Sequence, residues 1–208
     1  MIKNIIFDLG GVLLEIYPER TINAFKSLGF KDNAVSDAFF RTQNIFSHME
    51  IIPKSTAFFC AAMNSQLASE LPENKIVELW NLLLGDFISE TVDFVKSLKP
   101  NYRLFLLSNT NDIHFEVYTK QFHEKFDYKL SDLFEKVYFS HEIGLRKPNP
   151  SIFELVLNEN KLNAEETLFF DDMPDNRAAA ERFGIKTIAF KTNDRVSVLP
   201  EITQFIVL

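Results

Sequence analysis

Cysteine is nearly absent: Cys60 stands alone among 208 residues. No intrachain disulfide framework is available, which predicts a reducing home, the cytoplasm. Long basic runs are missing too. The net charge is −7 and the pI is near 5.2, which argues against nucleic acid as a main partner. No apolar stretch approaches the ~20 residues of a bilayer span, so no membrane partner is expected. The apolar start, Met1 to Glu15, carries Asp8 in its middle and has no small-residue cleavage site. It reads as a strand rather than a signal peptide. Neither an internal repeat nor a low-complexity tract occurs, and the composition sets no oligomeric state.

What is present is ordinary for a globular chain, 46% hydrophobic and 25% charged. That is enough for one domain with an inserted subdomain. Phenylalanine is abundant, at 22 residues. Most are expected as core filler, with an apolar substrate pocket as the alternative use. Five short apolar runs have the length of buried strands: 4–8, 103–108, 136–140, 167–171 and 186–190. Most lack alternation, as a parallel sheet covered on both faces requires. Helical patterns separate the later runs. "SETVDFVKSLKP" has a cap-like Ser89, "NPSIFELVLNEN" opens with Pro150 near a helix start, and "DNRAAAERFG" ends at Gly184. The alternation predicts an α/β fold, a doubly wound, mainly parallel sheet. Residues 16–85 carry several amphipathic stretches, such as "IPKSTAFFCAAMNSQL" and "PENKIVELWNLLL", and no convincing strand. That is too long for a loop, so a helical insertion (16–85) over a core (1–15 and 86–208) is expected.

Polar residues gather where four strands should end. Asp8 closes the first run, and "LLSNTND" supplies Ser108, Asn109 and Thr110. "SHEIGLRKPNP" supplies Lys147, and "LFFDDMPDN" supplies Asp171, Asp172, Asp175 and Asn176. Ligands of open α/β sheets bind outside the carboxyl ends of the strands. Asp8 with the Asp171–Asp172 pair concentrates negative charge, which a hard divalent cation resolves; Mg²⁺ is the usual choice beside phosphate. Ser108 offers a hydroxyl, the amides after it can face an anion, and Lys147 offers a point charge. A carboxylate nucleophile, a metal and these donors complete a site for a phosphoryl group. Singly, each motif has a plainer reading: a turn at Asp8, a solvated Lys147, a helix cap at Asp175 or Asn176.

Together these motifs resemble the haloacid dehalogenase (HAD) superfamily of hydrolases. "FDLGGVL" is similar to its first motif, "LLSNT" to its second, "GLRKPNP" to its third and "FFDDMPDN" to its fourth. The likeness is greatest to the α-D-glucose-1-phosphate phosphatase branch. It implies Asp8 as nucleophile, and Ser108, the Asn109 amide and Lys147 as phosphate ligands. It also implies Mg²⁺ held by Asp8, the Gly10 backbone carbonyl and Asp172, with Asp171 in support. The implied activity is hydrolysis of a small phosphomonoester, a sugar phosphate, through an aspartyl-phosphate. The stretch "FSHMEIIPKSTAF" fits a family cap frame loosely and lacks its Glu-x-Gly-x-Ile pattern. Phe39, Phe40, Arg41, Phe46 and His48 are candidate pocket residues of the insertion, with core or surface positions as the alternative.

Typical phosphatases of the family this chain resembles carry Asp-x-Asp in the first motif, where the second Asp is the acid and base, while close relatives in the glucose-1-phosphatase branch carry Gly there. Here that position is Gly10. Three readings follow. A phosphatase can manage without the acid, through a better leaving group or a substitute such as Glu15, His48, His114 or Asp171. A metal-independent 2-haloacid dehalogenase needs no acid, but Asp171 and Asp172 argue against it. A non-catalytic binding or regulatory module could retain the fold. The first reading is preferred.

Overall fold

The computed structural model describes residues 1–30, 45–67, 70–190 and 205–206. Five strands pair in parallel: β1 (Asn4–Phe7), β4 (Arg103–Ser108), β5 (Lys136–Phe139), β6 (Thr167–Asp171) and β7 (Lys186–Ala189). Their order across the sheet is β5-β4-β1-β6-β7. Asn4 sits opposite Arg103 and Thr167, and Phe7 opposite Leu106 and Phe170. Every residue of β1 is buried, which is why its sequence shows no alternation. From β1 the chain builds β4 and β5 on one side, then returns to build β6 and β7 on the other. That reversal opens a crevice at the carboxyl end of β1.

Helices cover both faces. On one, α5 (Ser89–Leu98) and α6 (Asp112–Phe126) bring Val92, Val95 and Phe122 onto Phe7, Leu106 and Phe170. On the other, α8 (Pro150–Asn160) and α9 (Pro174–Glu181) bring Phe153 and Ala180 onto Ile6, Phe105 and Phe169. Neighbouring strand residues such as Phe169 and Phe170 thus serve opposite cores. Phe7 and Phe170 stack with centroids 4.8 Å apart. A short helix, α7 (Ser140–Ile143), follows β5.

Local signals match the element ends at some positions and not at others. Pro150 does open α8, and Asn149 caps it by accepting from the Ser151 amide at 3.0 Å. Ser89 is not a cap: α5 starts on it, and Ile88 precedes the helix without a side-chain bond. Gly184 is left-handed (φ 85°), two residues beyond the C-cap Arg182. Asp175 and Asn176 lie inside the first turn of α9 rather than at its cap.

Between β1 and α5 the chain forms α1 (Pro18–Ser27), α2 (Ile45–Met49), α3 (Thr56–Asn64) and α4 (Glu73–Asn81). These bring Phe25, Phe59, Met63, Ile76 and Trp80 into a separate apolar cluster, joined by Ile113 of α6. The expectation of no strand in 16–85 is corrected. A two-stranded antiparallel ribbon, β2 (Leu14–Ile16) and β3 (Leu84–Phe87), pairs Leu14 with Phe87 and Ile16 with Leu84. The helical pattern of "PENKIVELWNLLL" stops at Asn81, and its last residue already belongs to β3. At Gly85 an added Cβ would lie 2.6 Å from the Tyr17 ring and 2.8 Å from Glu15 Cβ. Only glycine lets the ribbon cross there. No described helix is long and apolar enough to cross a membrane.

Candidate active site

Asp8 stands one residue past β1, its amide still bonded to the Phe170 carbonyl at 2.8 Å. The loop then winds around Leu9, whose carbonyl accepts from the amides of Val12, Leu13 and Leu14. Gly11 is left-handed (φ 77°), and a Cβ there would fall 2.5 Å from Asp172 Oδ2. The Asp172 carboxylate therefore lies against bare loop backbone. Gly10 lines the adjoining cavity.

β4 delivers a buried Ser108. The next residue, Asn109, grips the third motif from both sides: its Nδ2 donates to the Lys147 carbonyl, and its Oδ1 accepts from the Lys147 amide, each at 2.8 Å. The Lys147 side chain is 0% exposed, and its Nζ lies 2.8 Å from Asp8 Oδ1 and 2.7 Å from Asp171 Oδ2. Asp171 also accepts from Asn176 Nδ2 (3.0 and 3.1 Å) and from the Met173 amide (2.8 Å). Its carboxylate is saturated by protein.

The electrostatics follow from this crowding. Burial holds the Asp8 carboxyl above its usual range; Lys147 opposes the shift, and repulsion from Asp171 and Asp172 adds to it. Burial and the Asp171 charge push Asp172 up to about 6. Lys147 pays for its own burial through its two carboxylate partners, which hold its pKa above normal. Oxygens of Asp8, Asp171 and Asp172 all lie within 4.8 Å of one another. One shared ammonium does not balance three carboxylates. With Asp171 already committed, Asp8 and Asp172 are the pair left to satisfy, and a hard divalent cation fits that oxygen donor set.

The cavity has a volume of about 390 Å³ and is lined by Asp8, Gly10, Ser108, Asn109, Lys147 and Asp172, among others. That size suits a small molecule. No described phenylalanine lines it; most of the described rings are buried in cores. A shallower depression of about 530 Å³ at the other end of the sheet, around Lys3, Tyr102 and Arg103, contains none of these groups.

The candidate substitutes for an acid at Gly10 fare differently. His114 lines the cavity, but its ring is committed: Nδ1 is 3.2 Å from Asn111 Nδ2, and Nε2 is 3.2 Å from the Trp80 carbonyl. Nε2 thus donates to Trp80 and Nδ1 accepts from Asn111, while burial lowers the pKa to about 4. Asp171 is saturated, as described. Glu15 and His48 are not among the lining residues, and His48 is exposed. Phe39, Phe40, Arg41 and the Phe46 side chain lie outside the described residues. Sequence reasoning missed Glu50 and Arg146, which line the cavity, and the grip of Asn176 on Asp171. Only the chemistry of "GLRKPNP", with an arginine beside Lys147, could have flagged one of them.

Comparison with known proteins agrees with this geometry. A family model described as haloacid dehalogenase-like hydrolase matches residues 2–184. The chain is 28% identical to a D-ribitol-5-phosphate phosphatase of Bacteroides thetaiotaomicron over 187 residues, covering 90% of this chain and 91% of that one. A HAD-family enzyme of the same organism, crystallised with magnesium and inorganic phosphate, superposes with TM-score 0.80 at 34% identity, over 90% of this chain and 93% of that one. A predicted HAD-like family hydrolase from Porphyromonas gingivalis reaches TM-score 0.86 at 34% identity, over 98% of this chain and 97% of that one. By sequence and by fold, the chain belongs to the haloacid dehalogenase-like hydrolases.

Proposed function

We propose that this hydrolase is a Mg²⁺-dependent phosphatase that cleaves a small sugar or polyol phosphate through an aspartyl-phosphate on Asp8. The observation that carries the reading is the buried Lys147 ammonium joining Asp8 to Asp171, with Ser108 and Asp172 on the same cavity. The relative named D-ribitol-5-phosphate phosphatase, and the neighbour holding magnesium and phosphate, support the substrate class and the metal.

Asp8 Oδ attacks phosphorus, the bond from phosphorus to the ester oxygen breaks, and the phosphoryl group passes to Asp8. Lys147, the Ser108 hydroxyl and the Asn109 amide hold the transferring oxygens as charge builds. The Asn109 side chain keeps Lys147 in place, and Asp171 orients its ammonium. Water then attacks phosphorus, frees inorganic phosphate and restores Asp8. Because Gly10 brings no acid, the leaving oxygen takes its proton from water. Asp8, Asp172 and the Gly10 carbonyl would hold Mg²⁺, which when bound supplies positive charge against the phosphoryl oxygens. Residues 16–85 act as a helical cap over a core of 1–15 and 86–208, a division supported by the separate cluster around Phe59 and Trp80. The lone, buried Cys60 suits work in the cytoplasm.

Phosphate release by the purified chain across sugar, polyol, acyl and nucleoside phosphates tests the reading. We expect turnover that EDTA abolishes and Mg²⁺ restores, and that Asp8→Asn lowers by about 10³-fold or more. Wild-type turnover in Asp8→Asn would remove Asp8 as nucleophile.

A further inference from the structure

We propose that the ion pair between Glu50 and Arg146 reads the hydroxyl groups of the substrate: it binds a vicinal diol on the leaving group and so selects phosphorylated polyols over other phosphoesters. The inference rests on the phosphatase reading and extends it to the end of the substrate that does not react.

The pair joins two distant parts of the chain at the cavity wall. Glu50 directly follows α2, and Arg146 directly precedes the catalytic Lys147. Arg146 Nε donates to Glu50 Oε2 at 2.6 Å, and the side chains remain 25% and 24% exposed. Both line the cavity that holds Asp8 and Ser108. The charge of Lys147, as well as that of Arg146, acts on the Glu50 carboxyl against the effect of burial. The pair and the phosphoryl-holding end therefore face one small space.

Ser47, Trp80 and Tyr118 also line the cavity, but among the described residues this is the one ion pair on its wall beyond the phosphoryl end. Asp8, Ser108, Lys147 and Asp172 belong to the phosphoryl end. Asn111 and both ring nitrogens of His114 are bonded to protein, and the Thr110 amide and carbonyl to Ser140. Asp175 is exposed. Arg146 commits only Nε, and Glu50 only Oε2, among the described residues. The Nη donors and the Oε1 acceptor are left over. Guanidinium offers only donors and carboxylate only acceptors. Two adjacent hydroxyls, each able to give and to accept, satisfy both at once. A partly buried pair has lost part of its hydration, and ligand hydroxyls would restore it. Much of the other lining is aliphatic, including Leu14, Ile16, Pro18 and Leu83, a surface for the C–H faces of a polyol.

Steady-state kinetics with Mg²⁺ on three substrates test this: ribitol 5-phosphate, n-pentyl phosphate with the same carbon number and no hydroxyl, and p-nitrophenyl phosphate. The enzymes are wild type, Glu50→Gln, Arg146→Lys and the double variant, each checked by thermal melting. Wild type should prefer ribitol 5-phosphate to pentyl phosphate. Each single variant should lose about 10- to 100-fold in kcat/KM on ribitol 5-phosphate, chiefly through KM, and at least tenfold more than on pentyl phosphate. The double variant should lose little beyond either single one. Equal losses on the two substrates, or a wild-type preference for pentyl phosphate, would overturn the proposal while leaving the phosphatase reading intact. Absence of Mg²⁺-dependent release from all three by wild type would overturn both.

Discussion

Two adjacent glycines at the end of β1 face different constraints. Gly11 combines a left-handed backbone with the Asp172 carboxylate 2.5 Å from where a Cβ would be, so no side chain fits there without displacing a charged group. At Gly10 an added Cβ would meet only the Ile16 side chain, at 3.4 Å and beyond, and the backbone is not left-handed. The loop can therefore accept an aspartate side chain at position 10. Gly10→Asp should raise kcat/KM on simple alkyl phosphates, by up to about 10²-fold, by protonating a poor leaving group. The gain on p-nitrophenyl phosphate, whose leaving group needs no proton, should be smaller. A fall on both would show a loop built around a small residue. Asp8, Ser108, Lys147, Asp171 and Asp172 were legible in the sequence because each follows a run that can only be a buried strand or sits in a recognisable motif. Glu50 was not, because its meaning comes from Arg146, 96 positions away. The grip of Asn176 was not legible because its partner Asp171 is visible only once α9 is placed.

The elements that sequence pattern revealed best are those with a single environment. All five parallel strands were expected, two with the observed ends; in β1, β4 and β6 burial on both faces leaves continuous apolar runs. The β2–β3 ribbon was missed because its strands have three and four residues and mixed burial. Its partners are set by the chain reversal that α1 to α4 create, not by local pattern. The junction of those helices with α6 has a testable consequence. His114, in the first turn of α6, stacks on Trp80 of α4 with centroids 4.9 Å apart and donates to its carbonyl. Its folded pKa of about 4 lies below the unfolded value near 6.5. Between those values the unfolded chain binds a proton that the folded chain refuses, so stability falls as pH falls through that window. The full loss is roughly 3 kcal/mol. In urea titrations from pH 7.5 to 4.5, His114→Gln should show a shallower decline than wild type. Parallel declines would mean that the imidazole titrates normally in the fold.

On the scale of the whole molecule, a chain of net charge −7 gathers three of its carboxylates around one buried ammonium at the centre of its sheet. Every strand that flanks β1 contributes to that concentration: β4 through Asn109, which holds Lys147, and β6 through Asp171 and Asp172. The fold thus supports an arrangement that opposes its own stability whenever the cation is absent. A carboxyl such as Asp8, held above its ordinary range in the fold, destabilises the folded state as pH rises past the unfolded value near 3.8. That penalty grows until the pH passes the folded value of about 8, so most of it is present near neutral pH in metal-free protein. Mg²⁺ binds only the folded site, so it should raise the melting temperature, with about 2.7 kcal/mol expected at a hundredfold excess over its dissociation constant. Asp8→Asn should separate the two effects. In EDTA it should melt above wild type, because a buried, repelled carboxylate has become a neutral amide while Lys147 keeps Asp171. In Mg²⁺ its gain should be smaller than that of wild type, because one ligand is gone. The same variant loses turnover, so melting in EDTA, melting in Mg²⁺ and phosphate release form one set. A variant that melts below wild type in EDTA would mean that the Asp8–Lys147 contact contributes more to the fold than repulsion among the carboxylates takes away.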